Sequence, residues 1–133
     1  MTDSGPLIVN FLTGIYAGDT RDLVFTVYAA GTTQAQVTAG TAVPRNITGF
    51  TFEWAMKHQD DDTAQLSSLT TANPAEVELS DAVNGEVTVH LPRSVTAANP
   101  GRHRHALRRT NSGNESVGAI GDIVIHPAPT GTG

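Results

Sequence analysis

A chain of 133 residues and 13.9 kDa has room for one ordinary domain and not for two. It has no cysteine, which excludes a disulfide scaffold, a thiolate-held zinc or iron–sulfur centre and a cysteine nucleophile. A formal net charge of −5, 38% hydrophobic residues, 13 glycines and 18 threonines argue against global disorder and favour strands and turns over helices.

In chain order, residues 1–6 lack the basic segment and apolar stretch of a secretory signal, and no later apolar run is long enough to span a membrane. Residues 7–12 are a short apolar run between Pro6 and Thr13-Gly14, and predict a short strand within an N-terminal segment, 1–14. Gly18-Asp19 signals a turn. In 21–29, Leu23, Phe25 and Val27 share one face, opposite Asp22, Val24, Thr26 and Tyr28. Residues 30–46 are rich in Thr, Ala, Gly and Gln, with only Val37 and Val43 as sizeable apolar side chains. That is long for a loop, and predicts a weak edge hairpin or a segment ordered against a partner.

The clearest strand spans 49–58, where Phe50, Phe52, Trp54 and Met56 alternate with Thr51, Glu53, Ala55 and Lys57. Three of the chain's seven aromatics share this face, so the segment is expected to be the central core strand. Trp54 is accordingly expected in the core and not in a carbohydrate platform. Residues 59–73 open with Gln59, Asp60, Asp61 and Asp62 and stay polar apart from Leu66 and Leu69, as a loop would. Residues 75–79 are expected to pair with 86–91 (Val87, Val89, Leu91) through Asn84-Gly85, a tight-turn signal. Residues 94–99 fit one helical turn. A strand over 102–109, a turn at Asn111-Ser112-Gly113-Asn114 and a last strand over 116–126 complete the chain before a flexible tail, 128–133.

About seven short strands with turn signals at this spacing predict an all-β, immunoglobulin-like antiparallel β-sandwich over 15–127, with no disulfide. Its expected core is Phe25, Phe50, Phe52, Trp54, Val87, Val89 and Ile123.

Among candidates for chemistry, 102–109 carries four of the chain's eight Lys and Arg residues, a +4 stretch on a −9 background. On a strand, Arg102, Arg104 and Arg108 point one way, and His103, His105 and Leu107 the other. The arginines are candidate partner-docking residues; the bland alternative is a solvated face with weak ion pairs. Nucleic acid is not expected, because one short basic stripe on an acidic protein lacks the usual electrostatic footprint. His103 and His105 have the spacing for two metal ligands. With no third ligand placed beside them, they are expected to be hydrogen-bonded, partly buried rings. His58 and the aspartates at 60–62 lack the ligand spacing of a calcium loop and read as a solvated loop tip. No Gly-x-Ser-x-Gly and no phosphate-binding glycine loop occurs. No catalytic, metal or cofactor-binding residue is therefore assigned, no cofactor is expected, and the chain is not read as an enzyme.

Four stretches resemble, in their order and spacing, the immunoglobulin-like virion domains of tailed phages and prophages, of which the N-terminal domain of baseplate upper proteins is one type. They are Ala17-Gly18-Asp19-Thr20-Arg21-Asp22-Leu23-Val24-Phe25-Thr26-Val27, Ile47-Thr48-Gly49-Phe50-Thr51-Phe52-Glu53, Val83-Asn84-Gly85-Glu86-Val87-Thr88-Val89, and Pro100-Gly101-Arg102-His103-Arg104-His105 followed by Gly121-Asp122-Ile123-Val124-Ile125. The resemblance spans roughly residues 15–127. Histidines stand at 103 and 105 where the family usually has phenols, and 30–46 is longer than the family's usual turn. The resemblance implies a non-catalytic structural protein of the virion, decorating or cementing the capsid or acting as a tail or baseplate adaptor. Its partners would be other virion proteins in many copies, with a homo-oligomer open to it and no membrane. The alternative is a module binding a host-surface glycan or protein. In the bacterial context so implied, the sequons at Asn46-Ile47-Thr48 and Asn114-Glu115-Ser116 carry no meaning.

Overall fold

A computed structural model of the chain describes residues 7–29, 32–58, 65–113 and 116–127, without the side chains of residues 58, 65–67 and 116. The aspartates at 60–62, the sequon residues Asn114 and Glu115, and the 128–133 tail lie outside the described residues. Among the described residues there are eight strands: β1 (Leu7–Ile8), β2 (Arg21–Thr26), β3 (Phe52–His58), β4 (Gln65–Thr70), β5 (Val77–Asp81), β6 (Glu86–Leu91), β7 (Gly101–Arg109) and β8 (Ser116–Ile125). Two short helices, α1 (Gln34–Ala39) and α2 (Arg93–Ala98), join them, with a single 3₁₀ turn at Ala82–Asn84.

The strands form a five-stranded sheet, β1-β8-β7-β3-β4, and a three-stranded sheet, β2-β6-β5. This is the strand order of an immunoglobulin-like sandwich with one further strand beyond β3. β1 runs parallel to β8, and the other pairs are antiparallel.

Alternation along each strand builds the core. Leu23 and Phe25 of β2, Val87, Val89 and Leu91 of β6, and Val77 of β5 meet Phe52, Trp54 and Met56 of β3, Leu107 of β7, and Ile123 and Ile125 of β8. Each such buried side chain contributes roughly 1.5–3 kcal/mol by leaving water, so this packing holds the sheets together without a disulfide. The small sheet closes on Gly85 (φ +75°), where a Cβ would run into the carbonyl of Val27 and meet that of Arg45 at 2.7 Å. Only glycine fits that hairpin. α2 is tied down by Thr96, whose buried hydroxyl donates to the Asp19 carbonyl at 2.7 Å and accepts from the Gly18 amide at 3.1 Å.

Three expectations are corrected. Phe50 is not a fully buried member of the core strand. Gly49 adopts φ +84°, the Phe50 amide closes a turn onto the Ile47 carbonyl, and β3 begins only at Phe52. Phe50 is left half-buried at the rim, with the Arg109 guanidinium 3.5 Å from its ring centroid.

Residues 30–46 hold a helix, and the expected edge hairpin is reduced to one antiparallel bridge between Tyr28 and Pro44, flanked by bonds from Ala29 N to the Val43 carbonyl and from Arg45 N to the Val27 carbonyl. Thr33 and Gln36 form a capping box, each side chain bonded to the other's backbone amide, and Gly40 (φ +76°) ends the helix. Residues 59–73, expected to be a loop, include β4. Its Leu69 is buried opposite Trp54, while Ser68 is exposed and donates to Glu53 at 2.6 Å.

The short strand expected in 7–12 is β1 at 7–8, and the chain after it stays beside β8. Val9, Phe11, Ile15 and Ala17 all hydrogen-bond the β8 backbone and its continuation at His126, so this segment is an edge of the large sheet.

Candidate functional site

The outer face of the five-stranded sheet carries the three arginines singled out by the sequence. β7 alternates as expected: Arg102, Arg104 and Arg108 are exposed on this face, and His103, His105 and Leu107 are buried on the other. The cross-strand register adds neighbours that lie far apart in sequence. Ala106 sits between Ala55 of β3 and Ile120 of β8, and Ile120 in turn lies beside Ile8 of β1. Arg104 sits between Lys57 and Asp122.

Small side chains in the middle and longer ones around them leave a groove of about 490 Å³. Ala55 and Ala106 form its floor, Ile8 and Ile120 one wall, and Lys57, Arg104, Asn10 and Asp122 the polar margin. Arg102 holds Asp122 at 2.6 Å, and that hydrogen bond keeps the Asp122 carboxyl below the usual carboxylate range. The pair is half in solvent and orients the two groups more than it stabilises the fold.

Beneath the groove, His105 is a buried structural ring, as expected. Trp54 Nε1 has only a hydrogen to give, so His105 Nδ1 accepts it at 3.1 Å. The proton of the neutral ring therefore resides on Nε2, which donates to the Val9 carbonyl at 2.7 Å. Phe11, Phe25 and Trp54 pack around the imidazole. Burial pushes its pKa down, against the smaller opposing pulls of the Val9 carbonyl and Asp122. His103 Nε2 likewise donates to the Asn99 carbonyl at 2.8 Å. Both imidazoles are thus committed to the fold, and among the described residues they do not converge on a common point with other donors. Trp54 is 0% exposed, which removes it from any glycan platform.

Neither a protein-family model nor a curated protein sequence matches the chain.

The outer face of the three-stranded sheet contains an arrangement that the sequence reading missed. His90 is gripped from both sides, with Nδ1 2.8 Å from Asp22 Oδ1 and Nε2 2.8 Å from Glu78 Oε1. Below them, Ser80 bonds both Thr88 and Glu86 at 2.8 Å. The two carboxylates lie at opposite edges of the imidazole, so the three groups form a clip across β2, β6 and β5 and not a metal cage. The only signal in the sequence is the outward alternation of Asp22, Glu78 and His90, and which strands adjoin is not written in it.

The hydrogen bonds to Glu78 and then Asp22 raise the His90 pKa above its usual value. A raised folded pKa means that the clip's contribution is complete below about pH 6.5 and is lost as pH rises through the folded value. The difference in urea midpoint between wild type and His90→Gln should therefore be largest near pH 6 and vanish at alkaline pH. A difference that grows with pH would contradict the clip.

Proposed function

We propose that this chain is a non-catalytic structural protein of a tailed-phage or phage-like particle. It decorates or cements the capsid, or serves as an adaptor in the tail or baseplate, and it docks through the outer face of the five-stranded sheet. The observation that carries this reading is the makeup of that face: a shallow groove floored by Ala55 and Ala106, walled by Ile8 and Ile120, and edged by Arg104 and Lys57. An apolar centre with a charged margin is the composition of a protein-docking surface. The face rests on a rigid sheet, as a repeated contact on a symmetric particle requires. The sandwich topology agrees with the virion-domain resemblance of the four motifs. Weak contacts suffice there, because many copies on one lattice multiply them.

Charge reversal of the stripe tests the proposal. The triple variant R102E/R104E/R108E changes exposed positions only, so its thermal melting should stay close to wild type. Its incorporation into purified particles is expected to fall by about tenfold or more. Unchanged incorporation of the folded variant would remove the stripe's role.

A further inference from the structure

The two outer faces of the sandwich have opposite charge. Among the described residues, the five-stranded face bears four cations, Lys57, Arg102, Arg104 and Arg108, against the carboxylates Glu53 and Asp122. The three-stranded face bears Asp22, Glu78 and Glu86 around the single imidazole of His90 and, among the described residues, no Lys or Arg. In shape, the basic face is hollow: its groove has a floor of two alanines between aliphatic and cationic walls. The acidic face exposes one aliphatic side chain on β2, Val24, which is 51% exposed in the alternate position between Asp22 and Thr26, the latter paired with Glu86. An exposed valine amid carboxylates is suited to a small apolar hollow edged by guanidinium and ammonium groups.

We propose that copies of this chain stack head to tail. The basic, grooved face of one copy seats on the acidic face of the next, with Val24 over the Ala55–Ala106 floor. The occupant of the stripe is thus a second copy of the same chain. The contact is heterologous, because two different surfaces meet, and each copy added leaves a free face of each kind. Association accordingly continues past the dimer. Three strands about 4.8 Å apart and about 20 Å long give a flat footprint on the order of 300 Å². That is well below the ~800 Å² per partner of a stable complex, so the stack is weak, salt-sensitive and dependent on high local concentration. A particle surface supplies such concentration. The inference shares with the proposed function the stripe as a docking surface, but it needs no particle.

Sedimentation of the purified full chain over a range of concentrations tests it. At an ionic strength of about 0.01 M the average mass should climb with concentration beyond two copies, and it should return to monomer at about 1 M, where charges are screened within ~3 Å. The variants R104E/R108E and D22K/E78K should each stay monomeric. An equimolar mixture should associate again, because the reversed face of each now fits the unreversed face of the other. Val24→Arg, an exposed change that leaves the carboxylates in place, should weaken stacking by about tenfold or more. A wild type that is monomeric throughout at low salt overturns the inference, as does a mixture of folded variants that stays monomeric. Stacking of purified protein alongside unimpaired particle uptake of the stripe variant would sink the particle reading alone. Monomeric protein alongside impaired uptake would sink the stacking alone.

Discussion

Replacing Trp54 by alanine should lower the unfolding free energy by about 3–5 kcal/mol, and the melting temperature by roughly 10–20 °C for a domain of this size. The indole is fully buried at the centre of the core. It also supplies the one hydrogen that satisfies His105 Nδ1. Truncation both opens a cavity and strands a buried acceptor. Trp54→Phe separates the two effects: it keeps an aromatic ring, removes the donor, and should cost about 1–3 kcal/mol for the stranded acceptor. An unfolding free energy for Trp54→Ala, from urea titration, within about 0.5 kcal/mol of wild type would contradict the packing described, since shifts that small belong to surface sites.

The same pair makes a prediction about acid. His105 is held neutral chiefly by burial, so its folded pKa lies below that of the unfolded chain. Its contribution to stability is then complete above about pH 6.5 and is lost as pH falls from there through the folded value. Protonation would set an N–H on Nδ1 against the N–H of Trp54. Trp54→Phe removes that conflict, and the His105 titration followed by NMR should move upward. Measuring this in a His90→Gln background separates it from the clip, whose pH dependence has the opposite sign.

Gly121→Ala should detach the N-terminal edge of the large sheet at a cost of about 2–3 kcal/mol, the range for overpacking a tight site. A Cβ at Gly121 would run into the Val9 carbonyl and approach Asn10 Oδ1 at 2.7 Å. Those two oxygens hold the edge in place: the Val9 carbonyl accepts from His105 Nε2, and Asn10 Oδ1 accepts from the Asp122 amide at 2.9 Å. The added methyl group pushes both away, and the bonds from Val9 N to Ile120 and from Phe11 N to Asp122 go with them. Amide exchange at Val9 and Phe11 should accelerate by about 30-fold or more, while the amides of β3, remote from the edge, should respond only to the global change. Slow exchange at Val9 in the variant would show that the close approach at Gly121 is not what seats this strand. Ile8 and Asn10 line the groove on the outer face, so under the proposed docking the same variant should also lower particle uptake.

The parts of the fold legible in the sequence are those where one strand's pattern suffices. Alternation in 52–58, 86–91 and 102–109 identified β3, β6 and β7, their buried faces, and the outward set of arginines, because side-chain direction follows from period two alone. Elsewhere local pattern misled or fell silent. Phe50 continues the alternation of β3, but the positive φ of Gly49 takes it out of the strand. β4 carries two leucines, Leu66 and Leu69, on an otherwise polar segment, too little to distinguish an edge strand from a loop. α1 has no buried residue, so no apolar stripe announces it; the Thr33-x-x-Gln36 capping box is its local sign.

By itself the sequence determined a disulfide-free, all-β domain, an aromatic core strand, two histidines facing inward and a basic stripe facing outward. These are consequences of composition and of backbone geometry within single strands. Only the tertiary structure decided what adjoins the stripe: the alanine floor, Ile8 arriving parallel to β8, the lock between Val9 and His105, and an acidic face centred on His90 on the other side of the molecule. Each of these depends on strand order and register, which are settled by how two whole faces pack against one core. A strand records which of its side chains face that core, but not which other strand lies beside it.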